Sequence, residues 1–274
     1  MPIIMTDSTC DLPLEELEAL DVTMLSLRVN FGLESYADKR EISNEDFYEK
    51  LKASKELPTT SLVAVGDFIE AFERHPDDEI VVITIAAKLS GTWQSASTAA
   101  EELGRKDIYV IDSLSVSIGL GMLVKLAVSM RDKGASGREI ADFLLEKAQK
   151  LYIHAALDTL KYLVKGGRLS GFQGAVGSVL SFKPIVNIKD GIVTNVGKER
   201  GMKNAVDKVA DMFISNPDAD LGLPVSFTHS GNVVMLDYLA EKINPPIDGG
   251  KYSLGSIVGT HGGPGLVAVA YFVR

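Results

Sequence analysis

A chain of 274 residues, 46% hydrophobic and 24% charged, is long enough for a substantial core and favours two domains. Its formal net charge of −9 argues against a protein that holds nucleic acid or an anionic lipid surface through clustered lysines and arginines. A single cysteine, Cys10, excludes an internal disulfide and a cysteine-rich metal cage. The first residues lack the basic region and apolar core of a signal peptide, and no apolar run approaches the roughly 20 residues of a membrane helix. We therefore expect a soluble, cytoplasmic protein.

The first half of the chain alternates strand-like and helix-like patterns. PIIMT predicts a strand, and LPLEELEAL predicts a helix with Pro13 in its first turn. The alternating apolar residues of TMLSLRVNF predict a half-buried strand, and Ser43 opens a capping-box-like helix at SNEDFYEKLKAS. A strand at EIVVITIA, a helix at SGTWQSASTAAEELG, a strand at IYVID and two helices over 117–151 follow. This alternation predicts a parallel sheet covered by helices.

After about residue 155 the pattern changes to an α+β unit with antiparallel pairing. KPIVNIKDGIVTNVGK predicts a hairpin with its turn at 189–191. Helices are predicted near 201–215 and 231–242, with a strand at LPVSFTH and two closing strands at YSLGSIVG and GLVAVAYFV. We therefore predict an α/β protein of two domains. Residues 1–155 form a parallel-sheet α/β/α domain, and residues 156–274 form a smaller α/β domain with a mixed sheet.

The sequence lacks several common catalytic motifs. The phosphate-loop spacing does not occur. The nucleophile elbow of α/β-hydrolases needs a glycine two residues before its serine, and Lys88 stands there before Ser90. No metal site is predicted, because the four histidines are too scattered to form a ligand pair, at His75, His154, His229 and His261.

Two hydroxyl-rich segments are candidates for binding an anionic group. Ser90 in LSGTWQSA follows a strand and precedes a helix, so it either caps that helix or binds a ligand beside the free N–H groups of Gly91 and Thr92. LPTTSL contains Thr59, Thr60 and Ser61 and is either a solvated turn or a group of ligand-binding hydroxyls.

Three further features place a histidine, an arginine and two aspartates where they could contact a ligand. His261 in THGGPG lies beside a glycine-rich bend, where it either meets a carbonyl or donates to an acidic ligand. Arg168 in KGGRLSG is either a surface arginine at a helix end or a guanidinium presented to an anion. Asp7 and Asp112, each followed by serine, end two predicted strands at the sheet edge where α/β folds bind ligands.

Taken in order, these segments resemble the DegV family, bacterial fatty-acid-binding proteins that act as the lipid carrier of a fatty acid kinase. The resemblance runs nearly end to end and rests on TDSTCDLP, ESYADKREISNEDFYEKL, LPTTS, LSGTWQSA, IDSLSVSIGLG, TLKYLVKGGRLS, KPIVNIKDG and HGGPGLVAVAY. It implies a long acyl chain in an apolar tunnel between two domains, with the carboxyl group presented to the kinase for phosphorylation to acyl phosphate. It also implies a lipid-binding protein without enzymatic activity of its own, with no cofactor other than the bound fatty acid.

Site residues and partners follow from the same resemblance. Arg168 and Arg200 would lie toward the mouth, where phosphate or the kinase partner is met. The partners implied are a long-chain fatty acid and an ATP-dependent fatty acid kinase, with no nucleic acid, transient membrane contact for lipid exchange and a monomeric state. The residues implied to bind the fatty acid carboxylate are Thr60, Ser61, Ser90, Gly91 and His261.

Two departures from the family pattern concern this site. AAK precedes LSGT where the family often has serines, and LVAV follows TTS where a polar residue and a proline are common. They predict a sparser head-group network or a more apolar mouth.

Two other functions compete with this interpretation. The first is a lipid or thioester hydrolase that uses Ser90 and His261, with Asp7 or Asp112 orienting the imidazole and an oxyanion hole from Gly91 or Thr92. The second is an acidic regulatory or scaffold module with an incidental pocket, which predicts no ligand.

Overall fold

The computed structural model describes residues 1–171 and 181–274. The predicted C-terminal domain, 156–274, thus includes nine positions, 172–180, that lie outside the described residues. In chain order the strands are β1 (Ile3–Asp7), β2 (Val22–Leu25), β3 (Arg28–Phe31), β4 (Glu34–Ala37), β5 (Thr59–Ser61), β6 (Ile80–Thr84), β7 (Ile108–Asp112), β8 (Leu151–Ala156), β9 (Phe182–Lys189), β10 (Ile192–Arg200), β11 (Val225–His229), β12 (Asp248–Ser253) and β13 (Val267–Phe272). The α-helices are α1 (Leu14–Ala19), α2 (Asn44–Ala53), α3 (Val65–Glu73), α4 (Thr92–Glu102), α5 (Ile118–Asp132), α6 (Gly137–Ala148), α7 (Lys161–Lys165), α8 (Met202–Ile214), α9 (Val233–Ile243) and α10 (Ser256–Gly262).

A four-stranded parallel sheet of order β2-β1-β6-β7 forms the core of the first half. One of its two central strands, β6, is buried along its whole length, as expected for a parallel strand covered on both faces. Ile80 and Val82 pack on the side of α3 and α4, whereas Val81 and Ile83 pack on the side of α5 and α6. The predicted parallel sheet covered by helices is therefore confirmed.

A six-stranded mixed sheet of order β10-β9-β8-β13-β11-β12 forms the core of the second half. Its neighbours pair antiparallel except β11 and β12, which are parallel. One face is covered by α8 and α9 through residues such as Val206 and Leu236. On the other face Ala155 and Ala270 join the cluster built around α5, so α5 packs between the two sheets.

The predicted hairpin forms the edge of the mixed sheet. β9 and β10 pair antiparallel and are joined at Asp190 and Gly191, whose φ angles of 52° and 71° are those a two-residue hairpin turn requires. β8, which spans residue 155, already belongs to the mixed sheet, so the change of sheet falls between α6 and β8.

A third, three-stranded sheet of order β4-β3-β5 was not expected from the sequence. TMLSLRVNF forms two strands in different sheets, β2 and β3, rather than one. The chain breaks where Ser26 donates its hydroxyl to the Asp38 carbonyl (2.9 Å) and the Leu27 N–H donates to the Ser8 hydroxyl (3.2 Å). These tertiary contacts override the alternating pattern.

The expected strand at YSLGSIVG is only half correct. β12 ends at Ser253, and the remaining residues begin helix α10. The N–H groups of Gly255 and Ser256 donate to the carboxylates of Asp11 (2.9 Å) and Asp38 (3.3 Å), which stabilises a helix start at this point. His261 therefore lies in a helix, with the glycine-rich bend directly after it.

The longest described helix, α5, has 15 residues. Within residues 1–171 and 181–274, no helix has the length and apolar character needed to cross a bilayer.

Candidate functional site

A cavity of about 360 Å³ lies at the carboxyl edge of the parallel sheet, between it and the mixed sheet. Ile85 and Val116, which follow β6 and β7, line one side, and Ala155, Val186 and Val193 of the mixed sheet line the other. The volume is within the range of about 300–1,000 Å³ typical of small-molecule sites. Most of its lining is aliphatic, so the cavity suits an apolar ligand.

The polar residues predicted from the sequence lie along this same cavity. They come from four segments: β5, the loop before α4, the end of α7 and helix α10. Arg200, by contrast, ends β10 on the surface and is not part of the lining. The predicted residues that the structure brings together are Thr60, Ser61, Ser90, Gly91, Arg168 and His261.

The loop that carries Ser90 is fixed by the two strand-end aspartates. Asp7 accepts a hydrogen bond from the Ile85 N–H (2.7 Å), and Asp112 accepts one from the Ala87 N–H (3.2 Å). The Ser90 N–H then donates to the Ala86 carbonyl (3.1 Å), which closes a turn. Both predicted strand-end carboxylates therefore shape this loop instead of facing a ligand.

Ser90 directly precedes the cap residue of α4 and lines the cavity. Its Oγ lies 2.9 Å from Oγ1 of Thr92 and accepts a long hydrogen bond from the Thr92 N–H (3.4 Å). Gly91 is the cap residue of α4, and a Cβ atom placed on it would clash with the side chain of Leu62. Each hydroxyl hydrogen can rotate, so the Ser90 and Thr92 pair leaves one donor for a ligand.

His261 and Thr60 form the second polar pair. Nε2 of His261 lies 3.1 Å from Oγ1 of Thr60, and Nδ1 is buried without a hydrogen-bond partner among the described residues. Burial, with the nearby positive charge of Arg168, lowers the pKa of His261 from 6.5 to about 4. The imidazole is therefore neutral at pH 7 and offers one donor and one acceptor nitrogen.

Gly166 fixes the ring of His261 from the other side, and the sequence analysis did not identify it. A Cβ atom at this position would lie 2.2 Å from Nδ1 of His261. Only a residue without a side chain allows this approach. The double glycine of KGGR was the available signal, but nothing in the sequence indicated its partner.

Arg168 and Ser61 are both held by neighbours. Nε of Arg168 donates to the Leu89 carbonyl (3.2 Å), and its guanidinium also donates to the Gly166 carbonyl. These bonds tie the end of α7 to the loop of Ser90. The Ser61 hydroxyl accepts from the side-chain amide of Asn30 on β3 (3.0 Å), so Thr60 is the hydroxyl of β5 that meets His261.

The two departures noted in the sequence lie at and beside the cavity. Leu62, which follows TTS, is 44% exposed and lines the cavity. Lys88 donates to the carbonyl of Asp190 (3.0 Å) and thus ties the loop before Ser90 to the β9–β10 hairpin.

The geometry does not support the hydrolase alternative. Ser90 bonds to Thr92 rather than to His261. Asp7 accepts from Thr9 and Ile85, and Asp112 accepts from the N–H groups of Ala87 and Leu114, so neither carboxylate orients the imidazole. In the part of the chain that the structure describes, no group of three or more His, Cys, Asp or Glu side chains is arranged to hold a metal ion.

Comparisons with known proteins by family, by sequence and by structure all match the DegV family. The DegV family model, described as a family of uncharacterised proteins, matches residues 3–274. A DegV domain-containing protein of Clostridium perfringens is 34% identical over 271 residues, which cover 98% of this chain and 97% of the relative. The solved structure of a fatty-acid-binding DegV family protein from Thermus thermophilus matches with a TM-score of 0.90 at 28% identity over 99% of both chains. DegV of Bacillus subtilis, solved as a fatty acid binding protein, matches with a TM-score of 0.86 at 28% identity over 99% of both chains.

Proposed function

The chain belongs to the DegV family, and on that premise we propose that it binds a long-chain fatty acid and presents the carboxyl group to a fatty acid kinase. One observation carries the proposal. An aliphatic cavity between the two sheets has Thr60, Ser90 and His261 on its wall. An amphipathic acid matches that division into an apolar body and a polar cluster.

The apolar body of the cavity supplies the affinity. Burying about fifteen methylene groups at ~0.8 kcal/mol each gives on the order of 12 kcal/mol of gross driving force. Loss of ligand freedom and ordering of side chains reduce this value substantially. The tail nevertheless provides most of the binding free energy, and the head group determines orientation.

The polar cluster is suited to a carboxyl group. An unpaired buried carboxylate is costly, so the head group needs hydrogen bonds. Thr60, Ser90 and the neutral imidazole of His261 supply them without a permanent ion pair. Ser61 and Gly91 also line the cavity beside this set.

The mouth of the cavity would face the kinase. Arg168 lies at the edge of the polar cluster, where it can meet the negative charge that phosphorylation to acyl phosphate adds. Arg200 lies on the surface and is assigned to contact with the kinase. The two domains, predicted at 1–155 and 156–274, would meet before β8, with the ligand between them. The carrier would be a cytoplasmic monomer that exchanges lipid during transient membrane contact.

The binding role is tested with protein purified from cells. Native mass spectrometry should detect a retained fatty acid, and delipidated protein should titrate with hexadecanoic acid to one saturable site. Absence of saturable binding by fatty acids of any chain length from 12 to 18 carbons would contradict the proposal.

The presenting role is tested with Ser90→Ala. Loss of one hydrogen bond of ~1 kcal/mol should lower fatty acid affinity less than about tenfold. Phosphorylation by the partner kinase should fall more, because it depends on the position of the carboxyl group. Ser136→Ala is the matched control, since Ser136 caps α6 away from the cavity. Equal losses of affinity and phosphorylation would argue against presentation, and ester turnover that disappears in Ser90→Ala would favour the hydrolase.

A further inference from the structure

A second, more polar pocket of about 480 Å³ adjoins the cavity, and we call it the outer pocket. Its lining comes from segment 55–60, from Tyr162 to Arg168 at the end of α7, and from Thr260 with His261. Thr60, Arg168 and His261 line both the cavity and the outer pocket. A ligand head group at these three residues therefore projects directly into the outer pocket.

The outer pocket is cationic in an acidic protein. Lys55, Lys165 and Arg168 line it together with one carboxylate, Glu56, which gives a formal local charge of +2 in a chain of −9. Neither lysine forms a salt bridge with any carboxylate in residues 1–171 and 181–274. Their charges are therefore available to an anionic ligand.

A carboxylate does not account for this arrangement. It carries one charge, and under the proposed function its hydrogen bonds come from the neutral set of Thr60, Ser90 and His261. A phosphoryl group carries about −1.5 to −2 charges at pH 7 and three strong acceptor oxygens. Lysines and an arginine around a polar pocket are the residues that recognise such a dianion.

We propose that the outer pocket is a phosphoryl-group site, in which Lys55 and Lys165 join Arg168 in binding a dianionic head attached to the acyl chain. The inference rests on the proposed function for the position of the tail. Through the two lysines, the protein would bind the phosphorylated acid more tightly than the free acid.

The test compares two ligands of equal chain length, hexadecylphosphonic acid and hexadecanoic acid. The double variant Lys55→Gln/Lys165→Gln should weaken binding of the phosphonate about tenfold or more, because it removes two charge-assisted hydrogen bonds to the dianion. Binding of hexadecanoic acid should change less than about twofold, because its carboxyl group takes its hydrogen bonds from neutral partners and gains little from solvent-screened lysines in the adjoining pocket. Glu56→Gln should change phosphonate binding in the opposite direction, toward tighter binding.

A matched control removes the same charge elsewhere. Lys106→Gln/Lys133→Gln alters two exposed lysines that do not line either pocket and should leave both affinities as in the wild type. Unchanged phosphonate binding in the Lys55 and Lys165 variant, or equal loss for both ligands, would overturn the inference. If hexadecanoic acid itself fails to bind the wild-type protein, the proposed function fails instead.

Two further arms identify the source of the phosphoryl group. Inorganic phosphate and tripolyphosphate are titrated against wild-type protein that holds hexadecanoic acid. Failure of both to bind supports recognition of the acyl-linked group as proposed. Lysine-dependent binding of either one would overturn the acyl-linked assignment and show that the pocket takes a free phosphate or a nucleotide phosphate.

Discussion

The imidazole of His261 is positioned by contacts on two sides. Thr60 meets Nε2, and the backbone of Gly166 lies against Nδ1 with no room for a side chain. The φ of Gly166 is −76°, an ordinary value for any residue, so a substitution there is limited by the contact with the ring alone. Gly166 therefore acts on the site through His261.

Replacing Gly166 with alanine should displace the imidazole. A Cβ atom at 2.2 Å from Nδ1 must push the ring away, which breaks the hydrogen bond with Thr60. We expect fatty acid affinity to fall about tenfold, with a loss of stability of about 1–3 kcal/mol from overpacking. Titration with hexadecanoic acid measures the change in affinity, and the histidine NMR signals report the displacement of the imidazole.

Gly66→Ala is the control for that change. Nothing lies within 4 Å of a Cβ at Gly66, which is in helix α3, so binding should be unaffected. Wild-type affinity and an unshifted His261 resonance in Gly166→Ala would contradict the positioning role.

Helix α10 carries His261 and is held at its start by two aspartates from distant parts of the chain. Gly255 donates its N–H to Asp11, 244 residues away in sequence. Ser256 donates its N–H and its hydroxyl (2.6 Å) to Asp38, 218 residues away. Carboxyl oxygens stabilise a helix start by accepting hydrogen bonds from its free N–H groups. The parallel-sheet half of the molecule therefore orients the helix that carries the histidine.

Removing one of these carboxylates should affect binding as well as stability. Asp38→Ala should destabilise the protein by about 2 kcal/mol, because a helix cap is lost and buried donors lose their acceptor. It should also weaken fatty acid binding, because α10 positions His261 at the cavity. Asn232→Ala removes the cap of α9, which carries no residue of the cavity, and should cost stability without affecting affinity. Unchanged affinity in Asp38→Ala would show that α10 keeps its position without this cap.

Features with a local sequence signal could be predicted, whereas features that depend on contacts between distant segments could not. The buried run IVVIT predicted a parallel strand and the KDG turn predicted a hairpin, because both signals are local. Helix α10 and the three-stranded sheet were not predicted, because they depend on Asp11, Asp38 and strand pairings between distant segments. For the site, the hydroxyl and histidine motifs identified the residues that line the cavity. The double glycine of KGGR marked Gly166 but not its contact with His261, and the two lysines of the outer pocket gave no local signal at all.

At the scale of the whole molecule, buried ionisable groups couple stability to pH in opposite directions. Burial lowers the pKa of His154 and of His261 from 6.5 to about 4, so the folded state resists their protonation. Their contribution to stability is present above pH 6.5 and is lost as pH falls toward 4. Burial raises the pKa of the Asp11 carboxyl from 3.8 to about 7, with Asp38 adding to the rise and Lys39 opposing it. That contribution is present below pH 3.8 and is lost as pH rises through about 7.

Asp11→Asn isolates the second of these effects. The amide keeps an acceptor for the Gly255 N–H and can donate to the Ser117 hydroxyl, which lies 2.5 Å from the carboxylate, so it imitates the protonated acid. The variant should match the wild type near pH 4 and become relatively more stable as pH rises toward 8, by up to ~4 kcal/mol for a shift of about three pKa units. Glu139→Gln should give the opposite slope, because hydrogen bonds from Ser136 lower the pKa of Glu139. Denaturant unfolding between pH 4 and 8 measures both differences. A stability difference between Asp11→Asn and the wild type that does not grow with pH would mean that Asp11 is ionised throughout this range, and that a buried charge, rather than a neutral acid, holds the start of α10.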